Sequence, residues 1–232
     1  MVLAAHHPNY LPSIEFFSKV ANADIFVLAD DLQYTTHSLI NRGKIKTAGG
    51  WHWLTVPVLT KGKGRQKIRE VKIDTRQNWE QKHWKSQRVN YVKAPYFEQH
   101  LDFFEYLYRN HWTYLVDLNA TIIRFLTEAF GLRTQIALSS EWTWSKGGEE
   151  RLPEMLQHFG CDTYLCRQPG PQDQVDAARL QNSGYHLRIL DREHPPYHQL
   201  FGEFVPNLSA IDLLFNEGER SREILWRAKS LA

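Results

Sequence analysis

Two neighbouring stretches decide the fold: Val2-Leu3-Ala4-Ala5-His6-His7-Pro8-Asn9-Tyr10-Leu11-Pro12-Ser13-Ile14-Glu15-Phe16-Phe17-Ser18-Lys19-Val20-Ala21 and Asp24-Ile25-Phe26-Val27-Leu28-Ala29-Asp30-Asp31. Residues 2–6 form a short apolar run ending in polar residues, the pattern of a buried strand. Ile14, Phe17 and Ala21 then recur at helical spacing, and Pro12 and Ser13 suit a helix start. Residues 24–29 read as a second apolar strand. A strand, a helix and a strand so close together predict a parallel pair joined by a right-handed crossover.

Outward from this unit, residues 33–50 are polar and end in Gly49-Gly50. Residues 51–58 and 68–73 read as strands, with Lys61-Gly62-Lys63-Gly64-Arg65 as the hairpin turn between them. Helical patterns follow at 79–92, 96–108 and 112–130, the last closed by Gly131. Strands at 135–138, 163–166 and 186–190 alternate with helices at 149–159 and 173–182, and the tail reads as helices at 208–215 and 221–229. The expected architecture is an α/β fold with an open, mostly parallel, Rossmann-like sheet of about five strands. One domain spans 1–232, with a β-hairpin and helical insertion at 51–130, after the second strand.

Composition limits the function classes. Hydrophobic residues make up 42% of the 232, enough for a sizeable core. Eight tryptophans supply material for stacking on a sugar or base as well as for packing. A net charge of +2 is too mild to imply nucleic acid, and the basic run 61–72 reads as an exposed hairpin. No apolar run approaches the roughly 20 residues of a membrane helix, and the N-terminus lacks the pattern of a signal peptide. Cys161 and Cys166 are too few for a disulfide framework, so reducing cytoplasm is the expected compartment.

Parallel sheets bind ligands beyond the carboxyl ends of their strands. Three polar clusters should meet there: His6-His7-Pro8-Asn9-Tyr10, Asp30-Asp31 with Gln33, and Ser139-Ser140-Glu141. His6 and His7 suit a phosphate donor or a general acid or base near neutral pH, or hydrogen-bonded strand-end histidines. Asp30 and Asp31 suit Mg²⁺, or a loop cap, or a pair with Arg42. Ser139 and Ser140 suit a cap or a ligand phosphate. Asn41, Arg42 and Lys46 sit in a polar segment whose cations suit phosphate or carboxylate, or a solvated loop. His194 and His198 flank two prolines that forbid a shared helical face, so they are not read as a zinc pair. No complete catalytic or nucleotide-binding signature is present.

The motifs His6-His7-Pro8-Asn9-Tyr10-Leu11-Pro12, Asp30-Asp31-Leu32-Gln33-Tyr34, Asn41-Arg42 with Lys46, Trp53 to Val58, Lys93-Ala94-Pro95-Tyr96-Phe97, Ser139-Ser140 and Leu208 to Gly218 together resemble the WbqC-like family. The resemblance implies a bacterial or archaeal protein associated with O-antigen and other surface-polysaccharide synthesis, beside amino-sugar enzymes. Two departures stand out. His6-His7-Pro8 replaces the family's usual His-Gln-Pro, and Tyr164-Leu165-Cys166-Arg167 replaces its Tyr-Leu-Ser-Gly. The opening is also similar in layout, though not in motif, to nucleotidyltransferases with a His-x-Gly-His signature. The leading expectation is a transferase that acylates or aminoacylates a nucleotide-linked amino sugar, with His6 or His7 as the base. The alternative is a non-catalytic module that binds a nucleotide sugar or assembles with other glycan-pathway enzymes.

Overall fold

A computed structural model describes residues 1–167, 177–190, 195–226 and 230–231. The strand β1 (Val2–His6) enters a loop closed by Ser13, whose hydroxyl accepts a hydrogen bond from the Phe16 amide and caps α1 (Ile14–Ala21). Then come β2 (Ile25–Leu28), β3 (Arg42–Thr47) and β4 (Gly50–Thr55), followed by α2 (Trp79–Tyr91), α3 (Leu101–Arg109) and α4 (Leu115–Ala129). Strands and helices alternate thereafter: β5 (Gln135–Leu138), α5 (Leu152–His158), β6 (Thr163–Arg167), α6 (Ala177–Asn182) and β7 (His186–Leu190). The chain ends with α7 (Ala210–Glu217), α8 (Ser221–Trp226) and β8 (Ser230–Leu231).

The main sheet has the order β5-β2-β1-β6-β7-β8. Its first five strands are parallel, and β8 pairs antiparallel to β7. Leu3 lies opposite Ile25 and His6 opposite Leu28, so the carboxyl ends of β1 and β2 are level. Every residue of β2 is buried because both sheet faces are covered. Phe26 and Leu28 join a core that includes Phe17, Leu118, Ile122, Ile211 and Leu214. Ile25 and Val27 face the other way, toward Leu3, Met155 and Leu156. Burial of each such side chain contributes on the order of 1.5–3 kcal/mol.

The five-stranded parallel sheet matches the expectation; the hairpin does not fall where the sequence places it. β3 pairs with β4 from Arg42 opposite Thr55 to Thr47 opposite Gly50. Ala48-Gly49 is therefore a two-residue connection, and Gly50 takes a φ of 114° that its missing Cβ permits. Residues 66–68 cannot return along 51–58, because their backbone is used elsewhere. The Gln66 carbonyl accepts from the Tyr34 amide, and the Ile68 amide donates to the Leu32 carbonyl. Residues 68–70 form a 3₁₀ turn, Lys67 bridges to Gln33 and Lys72 to Tyr114, and between the two expected strands only the isolated bridge of Val58 to Ile73 forms. The second tail helix stops at Trp226, and β8 follows; residues 227–229 lie outside the described residues, as do 173–176 of the expected helix at 173–182.

Candidate functional site

β1 is where the strand order reverses. From it the chain builds outward through β2 to β5 on one side, and through β6 to β7 on the other. The crevice of such a sheet lies beyond the carboxyl ends of β1 and β6. His6 and His7 occupy the first of these ends and Arg167 the second.

The β2 and β5 ends are also polar, but most of their groups bond to one another; among the described residues only Asp31 Oδ1 is left buried without a partner there. Asp30 is 1% exposed; its two oxygens accept from the Ser140 amide at 2.9 Å and the Ser140 hydroxyl at 2.6 Å. Asp31 pairs with Arg151 of the segment entering α5 at 2.5 Å, not with Arg42. Burial raises the Asp31 carboxyl, and the Arg151 hydrogen bond and charge more than offset this and leave it below the ordinary value. Ser139 is fully buried, with its hydroxyl at 3.0 Å from the Trp144 indole N–H. Asp30 therefore holds a turn and does not offer two open oxygens to Mg²⁺. Glu141 and Gln33 are exposed. Among the described residues no group of three or more His, Cys, Asp or Glu gathers as a metal site.

The loop after β1 differs. His6 donates from Nδ1 to the His7 carbonyl at 3.0 Å, which assigns the neutral ring's lone pair to Nε2. The ring packs edge-on against Phe16. Asn119 of α4 braces the loop by donating to the Pro8 and Ile40 carbonyls, both at 2.8 Å. Leu11 is held at φ 42°, a left-handed conformation that costs leucine on the order of 1 kcal/mol or more. Such a backbone persists only where its surroundings over-determine it, and Leu11 lines a cleft.

That cleft has a volume of about 250 Å³ and lies between the β1 loop, the start of α1 and the β3–β4 hairpin. Asn9, Ser13, Glu15, Arg42, Lys44 and Trp53 contribute to its lining. Residues two apart on a strand share a face, so Arg42 and Lys44 project together, and Trp51 and Trp53 do the same on β4. The Arg42 guanidinium lies 4.6 Å from the Trp53 ring centre, and Lys44 Nζ lies 5.1 Å from that of Trp51. Arg42 donates through Nη2 to the His37 carbonyl at 2.5 Å, but its buried Nε–H has no acceptor among the described residues. Burial lowers the Lys44 ammonium below the usual lysine value, and the Glu15 charge opposes that shift. Gly43 makes this closeness possible, because a Cβ there would meet Leu11 Cβ at 2.7 Å and the Leu11 carbonyl at 2.9 Å.

Three other expected residues serve as structure. The Tyr10 hydroxyl is buried between His83 Nδ1 at 2.8 Å and the Tyr108 hydroxyl at 2.7 Å. Asn41 donates to the Val56 carbonyl at 2.9 Å. Lys46 is 1% exposed and donates to the Glu203 carbonyl and to Gln199 Oε1, tying the 199–205 segment to the hairpin. His194 lies outside the described residues, so the His194–His198 spacing is not represented here.

The model of the WbqC-like protein family matches residues 7–224. The chain belongs to the WbqC-like family. Its sequence is also 34% identical over 220 residues to the uncharacterized protein Rv1507c of Mycobacterium tuberculosis, covering 94% of each chain. No solved structure matches. Among the described residues no helix is long and apolar enough to cross a membrane. The Arg167 departure from the WbqC-like pattern has a partner in the same crevice: its guanidinium pairs with Glu15 at 2.6 Å, joining β6 to the first turn of α1. Sequence reading missed Glu15, Lys44 and Trp53 as site residues. The alternation of Arg42-Lys44 against Trp51-Trp53 was the signal that could have found them.

Proposed function

We propose that this WbqC-like protein is a cytoplasmic transferase of surface-polysaccharide synthesis that acylates or aminoacylates the amine of a nucleotide-linked amino sugar. The observation that carries the reading is Arg42: a guanidinium lining a cleft, stacked on Trp53, with a buried Nε–H that lacks an acceptor. A diphosphate supplies that acceptor, and charge-assisted bonds of this kind are the strong ones. Lys44, which also lines the cleft, adds a second cation. His6, with its Nε2 lone pair, or its neighbour His7 takes the proton from the sugar amine as the nitrogen attacks the activated acyl carbonyl. The acyl donor's leaving group departs from the tetrahedral intermediate and receives that proton.

A second reading is favoured by the Asp30–Ser140 and Asp31–Arg151 pairs, which commit three expected site residues, Asp30, Asp31 and Ser140, to bonds within the protein. In it the protein binds the nucleotide sugar without chemistry and presents it to another pathway enzyme.

Calorimetric titration with a panel of nucleotide diphosphate sugars tests the site. Binding should weaken about tenfold in Arg42→Ala and be only partly restored by Arg42→Lys, which keeps the charge but loses the planar fork. Equal affinity in all three proteins overturns it. Incubation of a bound sugar with acyl donors, followed by mass spectrometry, separates the two readings. Product lost in a His6→Ala, His7→Ala double variant supports the transferase, and binding without product under every donor supports the module.

A further inference from the structure

A second cleft of about 330 Å³ lies beside the first, between β4 and the start of α2. Trp53 borders both, so a single indole separates them. The new cleft is walled by rings and rimmed by hydrogen-bonding groups. Gln77 and Ser86 offer an amide and a hydroxyl, and Lys82 and His52 offer positive or protonatable nitrogen. Its inner wall includes Trp79, which is 3% exposed and whose Nε1–H has no acceptor among the described residues. A buried N–H without an acceptor is a destabilised group, and a ligand oxygen reaching it would relieve the penalty.

The wall behind Trp79 is rigid. His83 lines the cleft, and its ring donates to the Thr55 carbonyl, which leaves Nδ1 to accept from the Tyr10 hydroxyl. The Tyr108 hydroxyl then donates to Tyr10, and Gln87 donates to Tyr108 at 2.5 Å. One oriented chain of hydrogen bonds thus joins the second cleft to the loop that carries His6 and His7.

We propose that this cleft binds a pyranose carrying a negative charge, with an apolar ring face on Trp53 and the anionic group on Lys82 and His52. Uncharged donors and acceptors around an aromatic wall suit a ligand rich in hydroxyls, and the adjoining nitrogens suit carboxylate or phosphate. The site shares Trp53 with the first cleft, but none of Lys82, His52 and Trp79 lines that cleft, so its anion-binding groups are separate from those of the transferase reading.

The test follows the Trp79 indole N–H resonance by nitrogen-15 NMR during titration with glucuronate, glucose 1-phosphate and glucose. Both anions should shift the resonance, and glucose should bind at least several-fold more weakly. Lys82→Ala should weaken the anions about tenfold, the loss of one charge-assisted bond, while Lys85→Ala, an exposed neighbour outside the cleft, should not. The stronger of the two anions distinguishes a uronate from a sugar phosphate. No shift with either anion, equal weakening in both lysine variants, or loss in Arg42→Ala with Lys82→Ala unaffected overturns the proposal.

Discussion

Two polar regions lie along this protein's sheet edge, and they differ in what their side chains have left to give. At the ends of β2 and β5, both Asp30 oxygens accept from Ser140, and Asp31 pairs with Arg151 through one oxygen. At the β1 loop and hairpin, Arg42 and Lys44 rest on tryptophan faces, and the Arg42 Nε–H is unanswered. Residue type does not separate these regions, since both are rich in charge. The separation comes from partners and position: the Asp30 carboxylate, with both oxygens bonded to Ser140, braces a turn, whereas an underused guanidinium that lines a cleft is available to a ligand.

The sharpest break of this comparison is Arg151→Ala. It leaves Asp31 partly buried without its cation, and chemical denaturation should show a loss of about 3 kcal/mol with nucleotide-sugar affinity little changed in the folded protein. A loss of affinity with unchanged stability would instead make the β2 edge part of the site.

Next in size is a pH effect from two buried groups near the hairpin. Burial lowers the His83 ring to about 4 against the ordinary 6.5, opposed by its bond to Thr55. Burial raises Asp212 to about 6 from 3.8, opposed by bonds from Tyr197 and Tyr91. The folded state keeps His83 neutral, so its contribution is lost as pH falls from 6.5 toward 4. It also keeps Asp212 protonated, so stability is lost as pH rises from about 4 to about 6. The two slopes oppose each other over that window. Relative to the native protein, Asp212→Asn should gain about 2 kcal/mol between pH 4 and 6, and His83→Gln should lose a similar amount. Denaturation at several pH values reads both, and parallel profiles for all three proteins would remove these groups from the account.

Smaller is the effect of Lys44→Ala, which should leave the melting temperature nearly unchanged and weaken a bound diphosphate by a few-fold to about tenfold in calorimetry. The smallest is Ser140→Ala, which should cost about 0.5–1.5 kcal/mol in denaturant and nothing in ligand affinity. A reversal of these two outcomes would exchange the roles of the regions.

The sheet was legible because β2 is a continuous apolar run and the α1 stripe has helical spacing, signals that depend only on neighbours in sequence. The hairpin was not. Arg42-Gly43-Lys44-Ile45-Lys46-Thr47 looks like a solvated loop, yet Gly43, Ile45 and Lys46 are buried. Lys46 can be buried because Gln199 and the Glu203 carbonyl, more than 150 residues away, receive its ammonium. The clusters at 6–10, 30–31 and 139–140 do sit at one edge, as the topology requires. Which of their groups remained open depended on Arg151 and Tyr108, residues that no local pattern connects to them.

Gly43 has a consequence for engineering. Because the backbone of β3 rests directly on Leu11, the depth of the first cleft is set by main chain, while its chemistry is carried by replaceable side chains at 42, 44, 51 and 53. A library that randomises those four positions and keeps glycine at 43 would change ligand preference on an unchanged chassis. Alanine at 43 would instead wedge the hairpin off the loop and dismantle the cleft at its hinge.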